Sequence, residues 1–213
     1  MLARVFAPLR NTPGRNDVTG AFLPEAHRFV AVNALPGGVR IFDNGLPFAQ
    51  RREQVEMAFD GASNVDVVAF FCHGWKTGIQ AGYRMPNVPE LALLLKKVAS
   101  PHLTVLLYAC DTARDGDAEL GDDQVDGPGG EGGFADAMRD ELSRLRVNAR
   151  VYGHTTEGHC TQNPRVRVFD TSVAAMPGGR WLVEPGSAGW KQWATELRGS
   201  DRRFTFWRED HHA

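Results

Sequence analysis

The chain has 213 residues, 42% of them hydrophobic and 23% charged, which is enough to build one α/β domain around a continuous core. Its formal net charge is -2, so the sequence has no basic excess that would attract the phosphates of a nucleic acid. We therefore expect a single domain over residues 1–213 that binds no nucleic acid. Its ends are expected to be an irregular N-terminal arm at 1–25 and a flexible tail at 198–213.

The chain has three cysteines, Cys72, Cys110 and Cys160. Three is a small and odd number, which does not fit the disulfide framework of a secreted protein. The apolar run at the N-terminus is too short for a signal peptide, and no apolar stretch approaches the roughly 20 residues that span a bilayer. We expect a cytoplasmic protein with no membrane partner, in which a thiol stays reduced and available.

Glycines and prolines divide the first quarter of the chain into short predicted elements. A strand is expected at 3–7. The segments 27–32 (HRFVAV) and 39–42 (VRIF) are rich in strand-forming residues, and the breaker at 36–38 (PGG) between them predicts a β-hairpin. Apolar residues set among charges predict a helix at 50–60.

Two nearly unbroken apolar runs in the middle of the chain have the composition of parallel strands that helices cover on both faces. They lie at 65–71 (VDVVAFF) and 103–109 (LTVLLYA), and a predicted helix at 88–99 separates them. Pro89 in the first turn of this helix and two lysines in its last turn are the residue types that suit those positions.

A long acidic loop at 111–133 follows the second of these strands, and loops of this length in a compact domain are usually functional or disordered. Further elements are predicted after it: a helix at 134–145, strands at 148–153, 166–170 and 180–183, and a helix at 188–197. The alternation of helices with buried strands favours a three-layer α/β sandwich, in which a mostly parallel central sheet of about six strands has helices on both faces.

His73 and Cys110 each come just after one of the two strongest predicted strands. The carboxyl ends of neighbouring parallel strands lie about 5 Å apart at one edge of a sheet, which brings an imidazole within reach of a thiol. A nucleophilic cysteine needs such a histidine, because the imidazole lowers the pKa of the thiol and later protonates the leaving group. The alternative is structural, since cysteines are often buried and a histidine after a strand is often only a satisfied polar group.

The segments around this pair resemble the sequence motifs of a known family. FFCHGW (70–75) is similar to the strand-His-Gly motif of caspase-like (clan CD) cysteine peptidases, and LLYACDTA (106–113) resembles the strand-Ala-Cys motif of their CHAT branch. That branch also has a Gly-Glu-Gly segment before the next helix, and residues 130–132 stand at the matching place. The resemblance covers roughly 65–153. Tyr108 and Trp75 depart from it, because smaller residues are usual at both positions.

The resemblance implies a caspase-like fold and a cysteine endopeptidase that needs no cofactor, with Cys110 as nucleophile and His73 as general acid and base. It also implies that the backbone N–H groups of Gly74 and Cys110 bind the oxyanion. The implied substrate is a protein or peptide. Carboxylates beside the nucleophile, those of Asp111 and Glu131, would favour a basic residue before the cleaved bond.

Other interpretations of these segments stay open from the sequence. The acidic loop is also compatible with a solvated segment or with a calcium site, although residues 115–117 (DGD) lack the spacing of an EF-hand. A cluster of zinc-ligand residue types fits no common zinc spacing and is expected to line the cleft or to be structural. Its members are His154, Glu157, His159 and Cys160.

Two alternative functions follow from the departures and from the His-Gly-Trp sequence. Trp75 is the tryptophan expected in the cleft, and with Tyr108 it favours a catalytically restricted module that binds a peptide or a partner protein. An α/β-hydrolase is less well supported, because the chain lacks a Gly-x-Ser-x-Gly elbow.

Overall fold

The computed structural model describes residues 1–10, 21–115, 130–161, 163–172 and 178–190. Its helices and strands in chain order are β1 (Leu2–Pro8), α1 (Phe22–Val32), β2 (Val39–Phe42), α2 (Phe48–Met57), β3 (Val65–Phe71), β4 (Gly74–Trp75), β5 (Gly78–Ile79), α3 (Val88–Val98), β6 (Ala99–Tyr108), α4 (Phe134–Arg144), β7 (Ala149–His154), β8 (Val166–Asp170) and β9 (Arg180–Trp181). Within these ranges, no helix is both long and apolar enough to cross a bilayer.

The central sheet contains seven of the described strands, in the order β2-β1-β3-β6-β7-β8-β9. All pairs from β2 to β7 are parallel, whereas β8 runs antiparallel to both of its neighbours. β4 and β5 form a separate two-stranded hairpin directly after β3. The predicted mostly parallel sheet is thus confirmed, with one strand more than the six expected.

Helices cover both faces of this sheet. α1 packs on one face, and the strand residues below it include Val67, Ala69 and Phe71 of β3. α2, α3 and α4 cover the other face, toward which Val68 and Phe70 of the same strand point. Alternate residues of a strand therefore supply two separate cores, which is the three-layer α/β sandwich that the sequence predicted.

The predicted hairpin at the N-terminus was wrong, because residues 27–32 belong to α1. Phe22, Ala26 and Phe29 recur at helical spacing, and their burial against the sheet outweighs the strand propensity of the phenylalanine and valines. β2 does form at the predicted place, but it pairs in parallel with β1. β1 forms where a strand was predicted at 3–7, but the predicted arm does not reach residue 25, since α1 begins at Phe22; residues 11–20 lie outside the described ranges.

The other predicted elements are confirmed with ends that differ by at most four residues, as at the start of β6. This agreement includes the two central strands, which apolar composition alone identified. The helix predicted at 188–197 is described only at 188–190. Residues 116–129 of the acidic loop and the predicted tail at 198–213 lie outside the described ranges.

Candidate active site

The ends of β3 and β6 bring the predicted pair together. These strands are parallel neighbours, and Phe71 lies opposite Tyr108 in their last register pair, with ring centroids 4.2 Å apart. His73 and Cys110 each stand two residues further along the chain. The same register therefore places the two residues on adjacent strand ends, just past the carboxyl edge of the sheet.

Gly74 shows how closely the two strand ends approach each other. A Cβ atom at this position would lie 2.7 Å from the Cβ of Ala109 and would also collide with the carbonyl oxygen of Cys110. Glycine is needed here because the colliding oxygen belongs to backbone, which cannot move aside as a flexible side chain can. The His73-Gly74 segment thus packs directly on the segment that contains the thiol.

His73 is half-buried and is held from two sides. The Gln80 N–H donates to the His73 carbonyl at 2.9 Å, and the Gln80 side-chain oxygen accepts from the His73 N–H at 3.4 Å. Phe22 of α1 meets the imidazole edge-on, with ring centroids 5.0 Å apart and an interplanar angle of 83°. Gln80 therefore fixes the backbone of His73, while Phe22 limits the orientation of its ring.

The Cys110 thiol is partly exposed and donates a hydrogen bond to the carbonyl oxygen of Gly158 across 3.6 Å. Burial raises the pKa of this thiol above its ordinary value. Hydrogen bonding with the Gly158 backbone opposes the increase, and the carboxylates of Asp111 and Glu157 add to it. The sequence predicted the opposite, a lowered pKa of the Cys110 thiol, because an imidazole was expected beside it. At neutral pH the thiol is therefore protonated in this arrangement.

The other two cysteines differ from Cys110 because they are fully enclosed in the cores. All three are free thiols, and Cys72 and Cys160 are buried. Burial raises the pKa of Cys72 to about 12 and raises that of Cys160 well above its ordinary value. Cys110 is therefore the thiol that a reagent or a substrate can reach.

The chain turns sharply directly after Cys110. Asp111 adopts a left-handed backbone conformation with φ of 57°, which is uncommon for a residue other than glycine and concentrates at functional sites. Its buried carboxylate lies 3.8 Å from the guanidinium of Arg114. The residue predicted to contact a basic substrate side chain thus already has a basic neighbour within the turn.

The glycine-rich segment before α4 packs against this turn. A Cβ atom at Gly130, where φ is 80°, would lie 2.6 Å from the carbonyl oxygen of Ala113. The first residues of α4 are tied to the same region, because the Ala135 N–H donates to the Thr112 carbonyl at 2.7 Å. Glu131 lies exposed between them. These close approaches give the Gly-Glu-Gly sequence a packing role beside the thiol.

β7 ends at His154 on the other side of Cys110 and continues into the loop that contains Gly158. His154 is only 2% exposed, and its Nε2–H donates to the carbonyl oxygen of Cys160 at 2.9 Å. Burial lowers the pKa of His154 to about 4, so its imidazole is neutral at physiological pH. Of the residues predicted as a zinc or cleft cluster, two are thus engaged with each other inside the protein.

A metal centre is not apparent in the part of the chain that the structure describes. No three side chains of His, Cys, Asp or Glu are grouped there in a way that would hold a metal ion. Residues 116–129, which contain most of the acidic side chains considered for calcium, are outside that part.

Trp75 and Tyr108, the two departures from the family pattern, have opposite environments. Trp75 is 46% exposed on β4, next to Gly74, and is available at the rim of the site. Tyr108 is completely buried in the core below α1, where it stacks on Phe71. Tyr108 therefore fills the core beneath the site and does not narrow the opening.

The sequence did not predict three of the contacts described above, those of Phe22, Gln80 and Gly158. Helical spacing was the signal for α1, but it does not reveal which residue the helix would contact. Gly158 acts through a backbone carbonyl from 48 residues away, and every residue has such a group. None of these three contacts has a signature in the amino-acid sequence of a single chain.

The site therefore consists of a half-buried histidine and a partly exposed thiol on adjacent strand ends, with an exposed tryptophan at the rim. No protein-family model matches the chain, and no significant match was found among curated proteins or solved structures.

Proposed function

We propose that this protein is a caspase-like cysteine endopeptidase that hydrolyses a peptide bond in a protein substrate. The observation that carries the proposal is that His73 and Cys110 follow the ends of two adjacent parallel strands, each two residues beyond the stacked Phe71 and Tyr108. The close approach of Gly74 to the Cys110 backbone supports it independently. A thiol and an imidazole so placed are the two groups that cysteine peptidases require.

In the first half of the proposed reaction, His73 takes the proton of the Cys110 thiol while the sulfur attacks the carbonyl carbon of the peptide bond. The N–H groups of Gly74 and Cys110 donate hydrogen bonds to the oxyanion that forms. The C–N bond then breaks and the leaving amine takes the proton from His73. The acyl part of the substrate stays on the sulfur as a thioester.

In the second half, His73 takes a proton from a water molecule whose oxygen attacks the thioester carbonyl. The C–S bond breaks, the acid product leaves, and the sulfur recovers its proton from His73. Because burial raises the pKa of the Cys110 thiol, we propose that His73 removes the proton during attack and that no thiolate–imidazolium pair is present beforehand.

A basic residue before the cleaved bond remains part of the proposal. Glu131 and Glu157 are exposed, and Glu157 lies close enough to the thiol to affect its pKa. Exposed carboxylates near a nucleophile attract a lysine or arginine side chain and disfavour an acidic one. Peptide libraries that vary the residue before the cleaved bond would measure this preference.

The raised pKa of the Cys110 thiol favours a second candidate, a module of the same fold that binds a peptide or partner protein without cleaving it. The exposed Trp75 would contact the bound chain in that case. Binding that survives both Cys110→Ala and His73→Ala, together with an absence of turnover on every peptide tested, would favour the module over the peptidase.

Thiol labelling and peptide hydrolysis together test the peptidase proposal. Iodoacetamide should label Cys110 far faster than Cys72 or Cys160 when each site is followed by mass spectrometry. Cys110→Ala should reduce peptide hydrolysis by at least about 100-fold, since no other nucleophile is proposed. Undiminished hydrolysis by Cys110→Ala would end the proposal.

A further inference from the structure

A short loop after β7 lies against the proposed nucleophile. We call residues Thr155–Thr161 the cap loop. The Gly158 carbonyl oxygen in this loop is 3.6 Å from the Cys110 sulfur, and both Glu157 and Gly158 are exposed at the loop's tip. The tip therefore covers part of the thiol, which stays partly exposed.

Asn163, just beyond the cap loop, clamps it into a compact turn. The Asn163 side-chain amide donates to the Thr156 hydroxyl at 3.0 Å and to the Thr156 carbonyl at 3.2 Å. The side-chain oxygen of Asn163 accepts from the Arg165 N–H at 3.0 Å, and its own backbone N–H donates to the His159 carbonyl at 3.1 Å. One side chain thus connects both ends of the turn.

The base of the cap loop is anchored in the core. His154 donates to the Cys160 carbonyl at 2.9 Å, and the Thr161 hydroxyl donates to the Glu25 carboxylate of α1 at 3.3 Å. Cys160, Thr161 and Glu25 are all buried. A loop with a buried base and an exposed tip can lift its tip without disturbing the sheet.

Burial beneath the closed tip and the nearby Glu157 carboxylate favour the thiol over the thiolate, whereas hydrogen bonding with the Gly158 backbone opposes them. The Gly158 carbonyl accepts a hydrogen bond from the Cys110 thiol and so holds the tip against the sulfur, which stays partly exposed. Glu157 and Asp111 each add a negative charge near the sulfur. Lifting the tip would remove the carbonyl, the burial and the Glu157 charge together.

We infer that the cap loop is a closed lid over Cys110, which an incoming peptide must displace before the sulfur reacts, and that Asn163 is the positioning residue that holds it closed. The inference rests on the proposed role of Cys110 as the nucleophile. Opening of this one small loop is then the step that limits access to the thiol.

Cysteine labelling in an Asn163→Ala variant tests the lid. Loss of the clamp removes hydrogen bonds from the closed state alone, so iodoacetamide should label Cys110 about tenfold faster, while Cys72 and Cys160 stay slow. Asn148→Ala is the matched control, because the Asn148 amide bonds to His102 at the opposite edge of the sheet. That variant should label at the parent rate.

An unchanged or slower rate at Cys110 in folded Asn163→Ala would overturn the lid. If all three cysteines label fast, the variant has unfolded and Thr156→Val decides the question instead. This second variant removes one acceptor of the clamp and keeps the branched shape. Labelling of Cys110 that is about threefold faster would then support the lid, and the parent rate would overturn it.

Peptide hydrolysis separates failure of the lid from failure of the peptidase. Faster labelling of Cys110 in Asn163→Ala without hydrolysis of any peptide would retain the lid and reject the peptidase. Hydrolysis by the parent with no change of labelling in Asn163→Ala would retain the peptidase and reject the lid.

Discussion

Two histidines flank Cys110 in the order of the sheet, and their surroundings differ. His73 follows β3 and is half-buried, and its imidazole and the ring of Phe22 are in an edge-to-face arrangement. His154 ends β7, is buried, and donates from Nε2 to the Cys160 carbonyl. The position of a histidine at a strand end next to a thiol therefore does not decide its role.

The chemistry of each ring follows from these surroundings. A general base must accept and return protons near neutral pH, and it must be reachable from the substrate. His154 meets neither condition, because burial lowers its pKa to about 4 and its proton is used to anchor the cap loop. The role of general base in the proposed reaction thus falls to His73.

The largest effect that we expect separates these two histidines by activity. His73→Ala should lower kcat/KM for peptide hydrolysis by about 10²- to 10⁴-fold, the usual contribution of a general acid and base. His154→Gln, whose side-chain amide can still donate to the Cys160 carbonyl, should stay within about tenfold of the parent. Thermal melts would confirm that both variants are folded, and the reverse order of effects would assign the base to His154.

The next effect concerns the stability of the protein at low pH. In the folded protein the pKa of His154 is lowered to about 4 from its ordinary 6.5, because burial disfavours the charged ring. The unfolded chain therefore binds a proton at His154 before the folded protein does. The contribution of His154 to the unfolding free energy should be constant above pH 6.5. It should lower that free energy by about 3 kcal/mol as the pH decreases from 6.5 to 4.

Urea unfolding of the parent and of His154→Gln at a series of pH values measures this contribution. The variant is less stable overall, but its unfolding free energy should fall less steeply than that of the parent between pH 6.5 and 4. Carboxylates affect both proteins alike, so the difference between the two curves isolates His154. Parallel curves would show that His154 is charged or solvated in the folded protein.

The sequence predicted the central part of the fold and the pair at its edge for one physical reason. Strands that are buried on both faces are apolar throughout, so β3 and β6 were visible as continuous runs. Because parallel strands end at the same edge, the residues after them were expected together, and the register of β3 with β6 agrees.

Features that depend on packing between distant segments were missed. Residues 27–32 have strand-forming side chains, and only their burial with Phe22 against the sheet makes them a helix. The direction of the Cys110 pKa shift depends on how deeply the folded chain buries the sulfur and on the carboxylates of Asp111 and Glu157 near it. Burial of this kind is a property of the folded protein and has no pattern in the residues next to Cys110.

The smallest effect tests whether the contact of Phe22 with His73 positions the catalytic ring in the proposed reaction. Phe22→Leu removes an edge-to-face contact worth about 0.5–1.5 kcal/mol, so kcat should fall by roughly 3- to 10-fold with KM little changed. Phe29→Leu is the matched control, because Phe29 lies on the same helix and contacts Phe71 and Tyr108. Both variants lose core packing, so an equal loss of kcat would show that α1 supports only the fold. A decrease of kcat in Phe22→Leu alone would show that the loss comes from a changed orientation of the His73 ring. In that case α1 would be part of the active site as well as of the sandwich.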